Sequence, residues 1–164
     1  MTILNSGGTF NKRYNPINGE VEVAFDNLAV EAILSNFVEP INMAGVIYKD
    51  SLDMTKDDRA MLANIILQST DKKFVIVHGT DTMDLTAMLL DGVNDDRVIV
   101  ITGSMIPFSI DTLEATTNLS LAIGYARACE KKGVYICMNG LILPFNEIVK
   151  NKQLGVFERV QSKV

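Results

Sequence analysis

The strongest constraint on how this chain can fold is a rhythm of short apolar runs. Ala44 to Tyr48, Phe74 to Val77, Val98 to Ile101 and Val134 to Met138 are rich in valine and isoleucine and apolar on both faces. A strand with one face in water alternates polar and apolar residues. These runs do not, so both faces of the sheet they build must be covered. A further strand over Ile3 and Leu4 begins almost at once. Helical patterns lie between the runs. Asp26 is placed to cap a helix from about Asn27 to Phe37. Thr55 with Asp58 resembles a capping box ahead of Met61, Leu62, Ile65 and Ile66 at helical spacing. Asp81 to Leu90 and Thr112 to Glu130 read as further helices, the second with Leu113, Thr117, Leu121 and Tyr125 about one turn apart. This β-α alternation predicts an α/β domain: a three-layer, doubly wound, mostly parallel sheet with helices on both faces. At 164 residues the chain suits one domain, 1–164, rather than two.

Composition narrows the function. Hydrophobic residues at 48% against charged residues at 21% describe a globular chain, not a disordered one. The net charge is −5, and no basic run exceeds Lys72-Lys73 or Lys131-Lys132, so no nucleic-acid partner is expected. No apolar run reaches about 18 residues, so no membrane span is expected. The N-terminus lacks the regions of a signal peptide, and a cytoplasmic location is expected. Cys129 and Cys137 fall on different elements and read as free thiols. A single histidine argues against a histidine-based metal cluster.

In such sheets ligands bind outside the carboxyl ends of the strands. Those ends carry Gly7-Gly8-Thr9, Asp50 to Asp53, Gly79-Thr80-Asp81, Gly103-Ser104-Met105 and Asn139-Gly140. Each holds a glycine or a small polar residue, and glycine lets backbone donors approach a ligand closely. The placement predicts one pocket for a small polar molecule. Two of these loops carry a threonine, Thr9 and Thr80, and Glu147 to Lys150 adds a lysine. A threonine hydroxyl is a weak nucleophile until a base and an oriented partner activate it. An ammonium beside it lowers its pKa or relays a proton. Each residue also has a plainer reading: Thr9 as a turn residue, Asp81 as a helix N-cap, Lys150 as a solvated lysine, Tyr14 as a loop residue, His78 as a structural histidine. Asn11 to Val21 is polar, with Pro16 and Gly19, and reads as a mobile loop or small hairpin that orders over ligand.

These segments resemble the N-terminal domain of the bacterial-type L-asparaginase/glutaminase family. Ser6-Gly7-Gly8-Thr9-Phe10 is similar to the family's Thr-Gly-Gly-Thr-Ile signature, and His78-Gly79-Thr80-Asp81-Thr82-Met83 to its second signature. Asp50 to Thr55 resembles the substrate-binding loop. Thr102 to Pro107 resembles the Gly-Ala-Met-Arg-Pro segment, with Ile106 in place of the arginine. Val134 to Asn139 followed by Lys150 resembles the strand and loop that deliver the family lysine. The resemblance implies a cofactor-free amidohydrolase acting on a small amino-acid amide. Thr9 would attack the side-chain amide carbonyl, with Thr80, Asp81 and Lys150 as the second cluster. It further implies that Asp81 binds the substrate α-amino group and Ser51 its α-carboxylate. Leu52 stands where relatives often have a polar residue. Backbone donors near Gly79, Thr80 and Ser104 would face the oxyanion. Tyr14 is the nearby candidate for the family's activating tyrosine. Family members continue into a second domain that helps hold a dimer and adds polar groups to a neighbour's site. A homodimer is expected here, on the apolar face that domain covers. Two other readings stay open. One is an amino-acid-binding or regulatory module with little turnover. The other is a nucleotide-binding α/β protein, although Gly-x-Gly-x-x-Gly and Gly-Lys-Ser/Thr patterns are absent.

Overall fold

The apolar runs pair as the sequence predicts. A computed structural model describes residues 1–94 and 96–160; the last four residues of the 1–164 domain lie outside this range. Six strands form one sheet: β1 (Thr2–Gly7), β4 (Asn42–Lys49), β5 (Lys73–Val77), β6 (Val98–Thr102), β7 (Gly133–Met138) and β8 (Leu141–Pro144). Their spatial order is β4-β1-β5-β6-β7-β8. The first five run parallel, and β8 runs antiparallel to β7 at the edge.

Both faces are covered. On one side Leu62 and Ile66 of α2 (Lys56–Gln68) and Met83 and Leu90 of α3 (Met83–Val93) pack with Leu4, Ile76, Ile101 and Ile136. On the other, Val30 and Ile33 of α1 (Leu28–Leu34) and Leu119 and Ile123 of α4 (Thr112–Ala128) pack with Ile3, Val75, Val100 and Tyr135. Successive strand residues point to opposite layers. Each buried aliphatic side chain contributes roughly 2 kcal/mol. No described helix is long and apolar enough to cross a membrane.

Several elements differ from the sequence reading at their ends. Thr82 occupies the N-cap of α3, so the helix opens two residues after Asp81. The α1 helix stops at Leu34 and α4 at Ala128. The polar segment after Thr9 is a small hairpin, β2 (Lys12–Asn15) against β3 (Glu20–Val23). A second hairpin, β9 (Ile148–Asn151) against β10 (Val156–Arg159), carries Lys150. Neither β8 nor this hairpin stands out in the sequence. Their strands are only four residues long, too short to set a period. Pro144 ends the edge strand β8, where a missing N–H costs no central ladder bond.

The order of the sheet marks where a candidate site is to be sought. Chain progress reverses at β1: β4 lies on one side of it and β5 on the other. In doubly wound sheets the crevice opens beyond the carboxyl ends of the strands at such a reversal. Here those ends carry Thr9 and Thr80.

Candidate active site

The two threonine loops are brought together by backbone packing. Gly7 and Gly8 have φ of 92° and 74°, a conformation costly for other residues. Gly8 N–H donates to Lys49 O at 2.8 Å, fixing the end of β1 to the end of β4. A Cβ on Gly8 would fall 2.4 Å from both Gly79 Cα and Gly79 N. The two loops therefore touch main chain to main chain, which only glycine permits. Ser6 Oγ adds a hydrogen bond to Val77 O at 2.7 Å. Thr9 then opens a single 3₁₀ turn, Thr9–Asn11, and is half-buried.

Thr80, Asp81 and Lys150 form one cluster. Lys150 Nζ donates to Thr80 Oγ1 at 2.7 Å and to Asp81 Oδ1 at 2.8 Å. The antiparallel pairing of Lys150 with Phe157 holds the lysine's backbone, and its side chain is only 12% exposed. With Lys150 as an ammonium, the Thr80 oxygen is an acceptor and its own proton points elsewhere. The cluster opens into a cavity of about 360 Å³ whose apolar wall includes Met83, Met88, Phe145 and Phe157. Thr9 lies outside that wall, on the neighbouring loop.

The other sequence candidates surround this cluster at different depths. Ser51 is buried; its Oγ accepts from Asp81 N–H at 3.2 Å. That leaves the Ser51 hydroxyl proton for another acceptor. A Cβ on Gly79 would fall 2.6 Å from Ser51 Cβ, so Gly79 is needed for this approach as well. Leu52 is exposed, its N–H donating to Asp50 Oδ1 at 3.1 Å. Ser104 is buried and donates to Ile106 O at 2.6 Å. The following amides of Met105 and Ile106 donate to the Glu114 carboxylate at 3.0–3.1 Å. Tyr14 sits on β2, 63% exposed, and does not line the cavity that Thr80 and Lys150 share.

His78 is fully buried, and burial pushes its pKa down to about 4. Its Nδ1 lies 2.7 Å from Gly79 O and its Nε2 2.8 Å from Thr86 Oγ1. A carbonyl only accepts, so Nδ1 is assigned the proton and Nε2 accepts from Thr86. A neutral ring with both nitrogens occupied is a structural element, not a base.

Some polar residues here were invisible as site residues in the sequence. Lys12 Nζ lies 2.6 Å from Asp50 Oδ2, tying the segment after Thr9 to the Ser51 loop. Burial raises the Asp50 pKa. The Lys12 bond, the Leu52 amide and the charges of Lys12 and Lys150 outweigh it and hold the carboxyl below its usual range. Arg59 donates to Thr82 Oγ1 and Thr82 donates to Ser51 O, which joins the Ser51 loop to the N-cap of α3. Arg59 did leave a signal: it falls on the stripe of Leu62, Ala63 and Ile66, at helical spacing on the buried face of α2.

Comparison with known proteins accords with this architecture. The family model "Asparaginase, N-terminal" matches residues 1–162. The chain is 31% identical over 167 residues to L-asparaginase 2 of Escherichia coli strain K12, an alignment covering 95% of this chain and 47% of that protein. It is 29% identical over 168 residues to the probable periplasmic L-asparaginase of Haemophilus influenzae, again covering 95% and 47%. The thermostable L-asparaginase structure from Thermococcus kodakarensis superposes with a TM-score of 0.83, covering 97% of this chain and 50% of that one. At 23% identity this last likeness concerns the fold alone. The chain spans about half the length of the curated relatives it matches. A family match over nearly every residue, on a sheet of the same fold, establishes that the chain belongs to the asparaginase family and corresponds to the N-terminal domain of its members.

Proposed function

We propose that this chain carries the site of a threonine amidohydrolase that converts the side-chain amide of L-asparagine, or a related amide, to the acid and ammonia. The observation that carries the reading is Lys150 Nζ at 2.7 Å from Thr80 Oγ1 and 2.8 Å from Asp81 Oδ1, beside the reversal of the sheet order. Thr9 Oγ1 attacks the amide carbon, the C–N bond breaks, and the nitrogen leaves as ammonia after taking a proton. Water then cleaves the resulting ester and restores the Thr9 hydroxyl. Thr80 and Lys150 relay the protons of these steps. Asp81 takes the substrate α-amino group by charge. Ser51, with a hydroxyl proton to give, takes the α-carboxylate. Backbone donors of the Gly79–Thr80 and Ser104 loops face the developing oxyanion. Tyr14 reaches Thr9 only when the β2–β3 hairpin closes over substrate. Exposed Leu52 offers the amide no polar contact, which leaves the choice of amide to the rest of the loop.

The chemistry needs no cofactor, since the nucleophile and proton relay are side chains. The functional unit is a homodimer, with a second copy adding to the rim of the site. The free thiols of Cys129 and Cys137 favour a reducing compartment, hence the cytoplasm.

A second reading is a binding module that holds an amino acid with little turnover. It is favoured by Tyr14, which lies open to solvent, and by Thr9, which lies outside the cavity that Thr80 and Lys150 line. Ammonia release from asparagine, glutamine and their peptides, with Thr9→Ala and Thr80→Ala as controls, separates the two. Turnover abolished by both substitutions supports the amidohydrolase. Saturable asparagine or aspartate binding without ammonia supports the module.

A further inference from the structure

Arg59 is a buried cation whose hydrogen bonds all go to neutral oxygens. It lies one turn into α2, only 7% exposed, on the face that otherwise buries Leu62 and Ile66. A charge withdrawn from water is costly unless its donors are satisfied. Arg59 satisfies them at three places. Nη1 donates to Met54 O at 2.7 Å and Thr55 O at 3.1 Å. Nη2 donates to Thr82 Oγ1 at 2.7 Å, and Nε to Thr86 Oγ1 at 3.0 Å. A planar guanidinium spans these acceptors at once, which an ammonium on a flexible stem cannot do.

Each threonine passes the bond onward. Thr82 accepts from Arg59 and donates to Ser51 O at 2.7 Å. Thr86 accepts from Arg59 and donates to His78 Nε2, and His78 Nδ1–H in turn donates to Gly79 O. Two relays thus leave one guanidinium. They end at Ser51 O and at Gly79 O, on two loops that pack against each other beside the Thr80–Asp81 segment. Asp81 N–H closes the frame by donating to Ser51 Oγ. Thr82 stands at the N-cap of α3 without making a cap bond, so its hydroxyl is free for this relay.

We infer that Arg59 is a positioning residue, whose guanidinium sets the place of Thr80 and Asp81 and thereby the contact each makes with Lys150. The kinetic part rests on the amidohydrolase reading; the structural part does not. The experiment compares Arg59→Met and Thr82→Val with Leu62→Ala, which disturbs the same buried helix face without touching the relay. Thr82→Val keeps the side-chain shape and covers the case in which Arg59→Met fails to fold.

Two quantities are read. Hydrogen exchange of the Asp81 amide should quicken about tenfold or more in both relay variants relative to Leu62→Ala, with amides of β5 and β6 as the reference for global opening. In ammonia release, kcat should fall about tenfold in the relay variants and hold in Leu62→Ala at a temperature where all are folded. Asp81 exchange no faster than in Leu62→Ala overturns the inference, and so does an unchanged kcat in both relay variants. If the unmodified chain releases no ammonia from any amide, the amidohydrolase reading fails, and the exchange comparison alone decides the role of Arg59.

Discussion

Lys150 and Thr80 are 70 residues apart in sequence and 2.7 Å apart in space, joined through a hairpin strand of four residues. The lysine's second bond, to Asp81, lets one cation serve a hydroxyl and a carboxylate at once. If it moves protons for Thr80, Lys150→Met should lower the rate of amide hydrolysis by roughly 10²–10⁴-fold. The packing of the methylene stem is kept, so the circular dichroism spectrum should be unchanged. A rate within twofold of the unsubstituted chain would remove Lys150 from the chemistry.

His78 gives the fold a pH dependence. Burial holds its pKa down at about 4, against 6.5 in an unfolded chain. Between these values the unfolded chain binds a proton that the folded one refuses. Stability is therefore complete above about pH 6.5 and is lost as the pH falls toward 4. The full loss is about 3 kcal/mol, of which about 2 kcal/mol is gone by pH 5. Asp50 and Asp58 have carboxyl pKa values held below the usual range, and they lose their share only in stronger acid. His78 is the chain's single histidine. Its ring titration can be read by proton NMR without assignment, beside urea unfolding at pH 8 and pH 5. A ring midpoint near 6.5 in the folded chain would refute the assignment. His78→Gln should flatten the unfolding difference.

Gly8 and Gly19 have nearly the same φ, 74° and 77°, in different surroundings. At Gly19 an added methyl group meets open space, so Gly19→Ala should cost only about 1 kcal/mol, for conformation. At Gly8, ψ is −173°, a region essentially reserved for glycine, and the same methyl group also collides with the Gly79 backbone. Gly8→Ala should therefore add roughly 1–3 kcal/mol for overpacking to the conformational cost. It should also push the Thr9 and Thr80 loops apart. Urea unfolding of the two variants tests this, and equal costs would mean that the close approach of the loops is not enforced.

What the sequence disclosed follows from how local each signal is. The capping box of Thr55 and Asp58 is complete within four residues, and both of its bonds form. Runs such as Val98 to Ile101 declare their burial on both faces by composition alone. The Thr9 and Thr80 loops are legible because strand ends can be counted. The β9–β10 hairpin was not legible, because its four-residue strands gain their order from pairing with each other and from Phe157 entering the core. Nor could the sequence name the partners of Arg59, which lie from 4 to 27 residues away along the chain. Its charge marked it as surface, while its helical position marked it as core; tertiary hydrogen bonds decide in favour of the core.

The β2–β3 hairpin is tied at its base and free at its tip. Lys12 pairs with Asp50, Arg13 with Asp26, and Ser109 Oγ donates to Lys12 O at 2.9 Å. At the turn, Ile17 is 94% exposed. Motion of the tip about a fixed base is the behaviour of a lid. Amides from Tyr14 to Val21 should exchange faster than those of β5 and β6, and should slow when aspartate or asparagine is added. Protection equal to that of the central strands, unchanged by ligand, would reject the lid.

Self-association is the expected outcome of what the cavity wall leaves uncovered. Leu85 and Met88 on α3 and Val149, Val156 and Val160 around the β9–β10 hairpin are all exposed large apolar side chains. Met88, Val149 and Val160 also line the cavity that holds Thr80 and Lys150, so the apolar surface continues into the site. Contiguous apolar surface of this kind usually marks an interface, and closed twofold pairing is its most common form. A second copy seated there would also shield Lys150 from water and strengthen its contacts with Thr80 and Asp81. Sedimentation equilibrium at micromolar concentration should give twice the chain mass of 18.0 kDa. Met88→Lys should shift the species toward the monomer, with a parallel loss of activity but not of fold. A mass of 18.0 kDa at every concentration would refute the dimer. Activity that survives in the Met88→Lys monomer would show instead that one chain completes the site alone.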